Sequence, residues 1–138
     1  MTVQQIRLVR ETMPSLTEYA LPLSQLFYGR LFQTMPHLQP MFRNDIRVQG
    51  RKFIDMLLSL IDRLDAPEQA VLALRAMGQR HVAYGVLPEH YAPVCSALEW
   101  TLAQCLQEEF TGATRAAWSQ MLTEVSGLMQ AGAAELNG

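Results

Sequence analysis

The chain has 138 residues, 49% of them apolar and 17% charged, with a formal net charge of −2. That is one domain's length, with enough apolar content to bury a core without disulfides or structural metal. A charge balance near neutral excludes a basic nucleic-acid footprint and a polybasic membrane patch, and no apolar run nears the ~20 residues a membrane span needs.

The richest apolar run, Met56 to Ile61, is interrupted by Ser59 and flanked by Asp55 and Asp62. With Glu11 early and no long apolar block, the N-terminus does not read as a secretory leader. The expectation is a cytoplasmic protein.

In chain order, every strong periodicity is helical. The first helix is expected from about Thr2 to Glu18, kinked at Pro14. A second, from about Leu21 to Thr34, carries Leu23, Phe27, Tyr28, Leu31 and Phe32 on a wide apolar stripe. Pro36 opens a short third helix ending near Phe42, its missing N–H costing nothing in a first turn. From Asp45 to Leu64, the residues Ile46, Phe53, Ile54, Leu57, Leu58, Ile61 and Leu64 recur at three- and four-residue steps, the mark of one amphipathic face. Asp65 is expected to cap a helix from Ala66 to about Ala83, with Glu68 completing a capping box and Gly85 ending it. Pro88 begins a helix to about Gln107, and Thr111 caps a last one to about Glu135. Neither hairpin turns nor alternating strands are visible. The fold class is all-α, about seven helices in a single domain over 1–138.

The two cysteines, Cys95 and Cys105, fall on one expected helix. At ~1.5 Å rise per residue they stand about 15 Å apart, too far for a disulfide. Neither has zinc-ligand neighbours, and both read as small hydrophobes. There is no nucleophile triad, no glycine-rich phosphate loop and no H-E-x-x-H.

Of three histidines, His37 and His90 lie in first turns of helices. His81 stands apart. It falls in the last turn of its helix on the face of Leu74 and Met77, so an apolar wall surrounds it. Two readings stay open: a core histidine bonded to backbone, or a single axial ligand to a flat apolar cofactor, since neutral imidazole binds iron well and an apolar surround excludes water. A cofactor pocket also needs an opposite wall. Gln49 and Phe53 share one face of the long middle helix, and Tyr28 sits inside the apolar stripe of the second. A buried Tyr or Gln is costly unless its polar end finds a partner.

Taken together, L-F-Y-G-R-L-F (26–32), P-H-L-Q-P-M-F (36–42), R-H-V-A-Y-G-V-L-P-E-H-Y (80–91) and R-A-A-W (115–118) resemble the bacterial haemoglobins, both the single-domain globins and the globin half of flavohaemoglobins. The resemblance covers nearly the whole chain. It implies a globin fold sandwiching haem b. On the matching positions, His81 is the proximal iron ligand and Phe42 the phenylalanine that stacks on the porphyrin. Tyr28 is the distal tyrosine that hydrogen-bonds a dioxygen ligand, and Gln49 the distal glutamine. Phe53 stands where relatives commonly carry leucine, a larger side chain that crowds or gates the distal side. Tyr91 packs against the proximal histidine. Met77 and Val86 join the cofactor wall, and Lys52 and Arg80 meet the haem propionates.

Two departures accompany the resemblance. The family's glutamate on the last helix, which joins the tyrosine and proximal histidine in a hydrogen-bonded triad, falls on Ala133. Glu135 faces elsewhere, because two residues turn a helix by ~200°. Without that carboxylate the imidazole is less anionic, which weakens the case for peroxidase-like chemistry. The chain also stops at Gly138, so no flavin or nicotinamide domain is expected.

What the resemblance implies for function is high-affinity oxygen binding. A hydrogen bond to a charged acceptor, worth ~1.5–3 kcal/mol, slows release by roughly one to two decades. The first expectation is reversible binding, storage or delivery of O2. The alternative is a nitric oxide dioxygenase working with a separate electron-donating reductase, and a haem-based gas sensor comes third. The expected ligands are O2, NO and CO. No nucleic acid or membrane partner is expected, and a homodimer stays open.

Overall fold

The computed structural model describes residues 1–42 and 45–137. Among them are seven α-helices and no strand: α1 (Val3–Glu11), α2 (Met13–Glu18), α3 (Ala20–Thr34), α4 (Ile46–Asp62), α5 (Pro67–Ala83), α6 (Tyr91–Leu106) and α7 (Gly112–Asn137). Single 3-10 turns at Pro36–Met41, Pro88–His90 and Gln107–Glu109 complete the path. None of these helices is long and apolar enough to cross a membrane.

The expected element types hold, with four local corrections. The first helix is not one kinked rod but two helices meeting at Thr12. Pro14 lacks the N–H that would bond back to Arg10, and it settles in the first turn of a new helix. The Thr12 hydroxyl donates to the Val9 carbonyl at 2.6 Å and accepts the Trp118 indole N–H at 3.3 Å. The segment after Pro36 is a 3-10 turn rather than an α-helix. Pro40 cannot donate the bond that would close an α-turn onto Pro36.

Asp65 does not cap α5. The N-cap is Ala66, with no side-chain bond, and the Asp65 carboxylate lies 3.0 Å from the Arg10 guanidinium. Asp65 stands one residue before the cap position, and its carboxylate turns to Arg10 instead. Finally, the helix expected from Pro88 begins at Tyr91, after a 3-10 turn. Thr111 accepts a backbone N–H at 3.2 Å as expected, Thr2 and Asp45 prove to be caps as well, at 3.1 and 2.8 Å, and Gly85 takes the positive φ, +91°, that turns the chain after α5.

The main core cluster surrounds the buried Trp118, Phe27, Leu16, Leu23, Leu31, Ile61, Leu102 and Met121, and a smaller one joins Leu60, Leu74 and Met129. Burial of each large side chain contributes roughly 1.5–3 kcal/mol against its own ordering cost. α5 packs most extensively on α7, and α3 on α4 and α6. The α5–α7 crossing is held by glycines. A Cβ at Gly78 would collide with the Met129 carbonyl, and one at Gly132 with the Arg75 carbonyl. Absence of a side chain at these two positions lets the backbones touch. The two cysteines are free and partly buried, as expected.

Candidate functional site

A cavity of about 210 Å³ opens between α3, α4, α5, α6 and α7. Eight of the residues singled out from the sequence line it: Tyr28, Phe42, Gln49, Phe53, Met77, His81, Val86 and Tyr91. Lys52 and Arg80 do not; both are exposed on the surface. Nearly all the remaining lining is hydrocarbon, including Leu31, Leu57, Val94 and Leu98.

His81 is half-buried. Its Nδ1 lies 2.7 Å from the Met77 carbonyl, one turn back along α5. A carbonyl only accepts, so Nδ1 carries the proton and Nε2 keeps a lone pair. Burial pushes the imidazolium down in pKa, and the Arg80 charge does likewise, against the opposing pull of the Met77 carbonyl. The ring is therefore held neutral, in one tautomer, with its basic nitrogen uncommitted to any hydrogen bond among the described residues. The backbone bond belongs to a core histidine, yet it also prepares a metal ligand.

The wall made by α3 and α4 is aromatic. Phe27 and Phe53 stack at 4.5 Å between centroids, with their planes 3° apart. Tyr28 meets Phe27, Phe42 and Phe53 edge-on at 5.0, 5.2 and 6.0 Å. These geometries place the positive ring edge against the negative face of its neighbour. Tyr28 is 3% exposed. Burial pushes its phenol up in pKa, and the Gln49 side chain partly offsets this. The phenol is protonated at neutral pH and can donate. Phe53, flat on Phe27, is a fixed part of this wall.

On the other side, the Tyr91 hydroxyl is buried with no hydrogen-bond partner among the described residues. Burial raises its pKa. The position where a carboxylate was expected, Ala133, has no polar side-chain atom. Glu135 instead bonds Arg75 at 3.4 Å and Gln79 at 3.2 Å on the exposed face.

Sequence reading missed His90. It is 7% exposed, lines the cavity and stacks obliquely 5.8 Å from His37. Its Nδ1 accepts the Leu87 N–H at 3.0 Å. The available signal was its spacing from Leu87 across Pro88, which makes a side-chain-closed turn. Cys95 and Ser126 also line the cavity unforeseen.

The globin family model matches residues 25–129, three quarters of the chain. This protein is a globin. It is 27% identical to a flavohemoprotein of Xylella fastidiosa (strain Temecula1) over 91% of its length, but over only 32% of that protein. A flavohemoprotein of Vibrio cholerae is 28% identical over 86% of this chain and 31% of its own. The chain thus spans about a third of the length of these curated relatives. Among solved structures, a bacterial globin of Campylobacter jejuni superposes with a TM-score of 0.86 at 22% identity, covering 99% of both chains. An engineered carbene transferase, built on a candidate nitric oxide dioxygenase of Rhodothermus marinus, gives 0.88 at 24%, covering 99% of this chain and 96% of that one.

Globin membership implies a haem, and the residues present fit one. The cavity offers one uncommitted imidazole nitrogen within hydrocarbon and aromatic walls, suited to a flat apolar ring with a single axial bond. No cluster of three or more His, Cys, Asp or Glu among the described residues could hold a bare metal ion instead.

Proposed function

We propose that this globin holds haem b through His81 and binds dioxygen reversibly with high affinity. One observation carries the reading: a neutral, tautomerically fixed imidazole and a buried phenol beside Gln49 line the same apolar cavity from different helices. When bound, haem supplies an iron that takes diatomic gases in an exchangeable position.

The chain's own residues do the rest. Met77 fixes the His81 ring through its carbonyl. Phe42, Val86, Met77 and Tyr91 line the cavity and would pack against the cofactor and exclude water. Lys52 and Arg80, both exposed, suit the solvent-facing carboxylates of the cofactor. Tyr28 and Gln49 donate hydrogen bonds to a polarised ligand, in surroundings where each such bond is stronger than in water. This favours slow release, and with it scavenging, storage or delivery at low gas pressure. The Tyr91 hydroxyl bonds no carboxylate among the described residues, and His81 bonds only a backbone carbonyl, which fits binding better than peroxide cleavage.

Nitric oxide removal is the second reading, favoured by the flavohemoprotein relatives and by the neighbour described as a candidate nitric oxide dioxygenase. It calls for a separate reductase as partner, with both proteins in the cytoplasm. The test begins with an ultraviolet–visible spectrum of purified, hemin-reconstituted protein. A Soret band that shifts on adding CO to the reduced form is the expected result. No band after reconstitution would return His81 to the role of a core histidine. Sustained nitrate formation from NO and O2, turning over only with added reductase, would favour the second reading over the first.

A further inference from the structure

The helices that carry Tyr28 and Gln49 meet closely at one pair of small residues. Ser24 on α3 and Gly50 on α4 are both buried, Ser24 to 3% exposure. A Cβ at Gly50 would lie 2.5 Å from the Ser24 Oγ and 2.8 Å from its Cβ, closer than such atoms can stand. The Ser24 hydroxyl donates to the Leu21 carbonyl at 3.0 Å, so the side chain is tied to its own helix and cannot swing aside without breaking that bond. Glycine inside a helix is less favourable than alanine. The backbone at Gly50 is ordinary helix, so what the position uses is the missing side chain and not a special dihedral angle.

The neighbours show what this contact holds. Tyr28 is one turn beyond Ser24 on the same buried face of α3, with Phe27 beside it. Gln49 directly precedes Gly50 on α4, and Phe53 follows one turn on. The Gln49 side chain reaches the Tyr28 phenol, and Phe53 lies flat on Phe27 at 4.5 Å between centroids. Both cross-helix pairs thus sit within a turn of the crossing. Hydrogen bonds span ~2.7–3.2 Å and fail near ~3.6 Å, so a spread of about half an ångström between the helices is enough to uncouple phenol from amide.

We propose that Gly50 is a positioning residue: by letting α4 close onto Ser24 it sets the spacing of Tyr28 and Gln49, and through that spacing the rate at which a polarised gas held by both leaves the cavity. The inference deepens the gas-binding reading and rests on it, while the spacing itself is measurable without haem.

Gly50→Ala is the wedge. Gly29→Ala is its matched control, because Gly29 adjoins Tyr28 as Gly50 adjoins Gln49 but has nothing within 4 Å of where a Cβ would be. In Ser24→Gly/Gly50→Ala the added methyl regains its room. Should Gly50→Ala not fold, Ser24→Cys supplies a milder wedge, its sulfur being larger than the oxygen that abuts Gly50. In hemin-loaded, reduced protein, O2 release measured by CO displacement is expected to accelerate about fivefold or more in the wedge, and to stay within about twofold of the original in the control and the double variant, since only the wedge weakens a hydrogen bond to a charged acceptor. In a Tyr28→Phe background the wedge is expected to add nothing. An unchanged release rate in the wedge overturns the proposal. So does an acceleration that persists in full without the phenol, the result a merely structural role would give. In the full chain without hemin, nuclear Overhauser contacts between the Gln49 side-chain amide and the Tyr28 ring are expected in the original, the control and the double variant, and not in the wedge. If hemin is not taken up, the gas-binding reading fails, and these contacts then decide the spacing alone. Their loss in the wedge and return in the double variant uphold it; their survival in the wedge overturns it.

Discussion

The two walls of the cavity are made of the same kinds of atoms and differ in how completely they are satisfied. On the α3–α4 wall each aromatic ring meets another at a favourable angle, and the Tyr28 phenol has Gln49 beside it. On the α5–α6 wall, His81 has committed one nitrogen and left the other, and the Tyr91 hydroxyl has no hydrogen-bond partner among the described residues. A wall whose polar groups are few and partnered is set mainly for packing, with Tyr28 and Gln49 its polar exception. One with unsatisfied groups holds the places where chemistry is still to be done.

Removing the uncommitted nitrogen tests this difference most severely. His81→Ala is expected to abolish the five-coordinate ferrous spectrum of the hemin-loaded protein, and free imidazole is expected to restore it. A spectrum that survives the substitution would assign the iron ligand elsewhere. Tyr28→Phe comes next. Loss of a hydrogen bond worth ~1.5–3 kcal/mol to a charged acceptor speeds oxygen release by roughly one to two decades, measured by stopped-flow displacement with CO, while urea midpoints stay close to the original. An unchanged off-rate would remove Tyr28 from the ligand's surroundings.

Stability separates the walls further. Gly78→Ala forces α5 off α7 and is expected to cost about 1–3 kcal/mol in urea unfolding, as overpacking does. Gly127→Ala, in open space, is expected to stabilise by up to ~1 kcal/mol through helix propensity alone. Equal signs for the two would mean the crossing is not tight. Tyr91→Phe removes the orphan hydroxyl and is expected to stabilise the hemin-free protein by about 1 kcal/mol, raising Tm by roughly 3 °C. A fall in Tm would mean the hydroxyl does have a partner.

The smallest effect lies outside the cavity. The Arg10 guanidinium beside Asp65 holds its carboxyl below the usual carboxylate range. That pairing therefore stabilises the fold above the ordinary carboxylate pKa and is lost as pH falls through the lowered one. Arg10→Ala is expected to flatten the acid limb of the stability profile slightly at low salt and not at high salt, because the pair is exposed.

These cases also mark what was legible in the sequence. Helical periods, proline starts and the Thr111 cap are written within a few residues of one another and could be read directly. His81 stood out because an apolar face made it conspicuous. Pro14 signals a break but not its form; the Thr12 hydroxyl bonded to Trp118 and the Asp65 carboxylate paired with Arg10 involve partners 106 and 55 residues away in the chain. Local rules hold no information about such partners. His90 was missed for a related reason. Its burial comes from the reversal at Gly85 to Pro88, which folds the first turn of the next segment back onto the cavity.

The glycine crossing has a consequence for motion. Leu74 and Gly78 are the only buried residues of α5 among those described, so this helix is anchored from its middle onward and its first two turns are not. Amide protons near Ala70 and Val71 should exchange with deuterium through local opening, while those around Gly78 to His81 wait for global unfolding. The imidazole thus rides on the clamped end of a hinged rod, holding its height while the far end breathes.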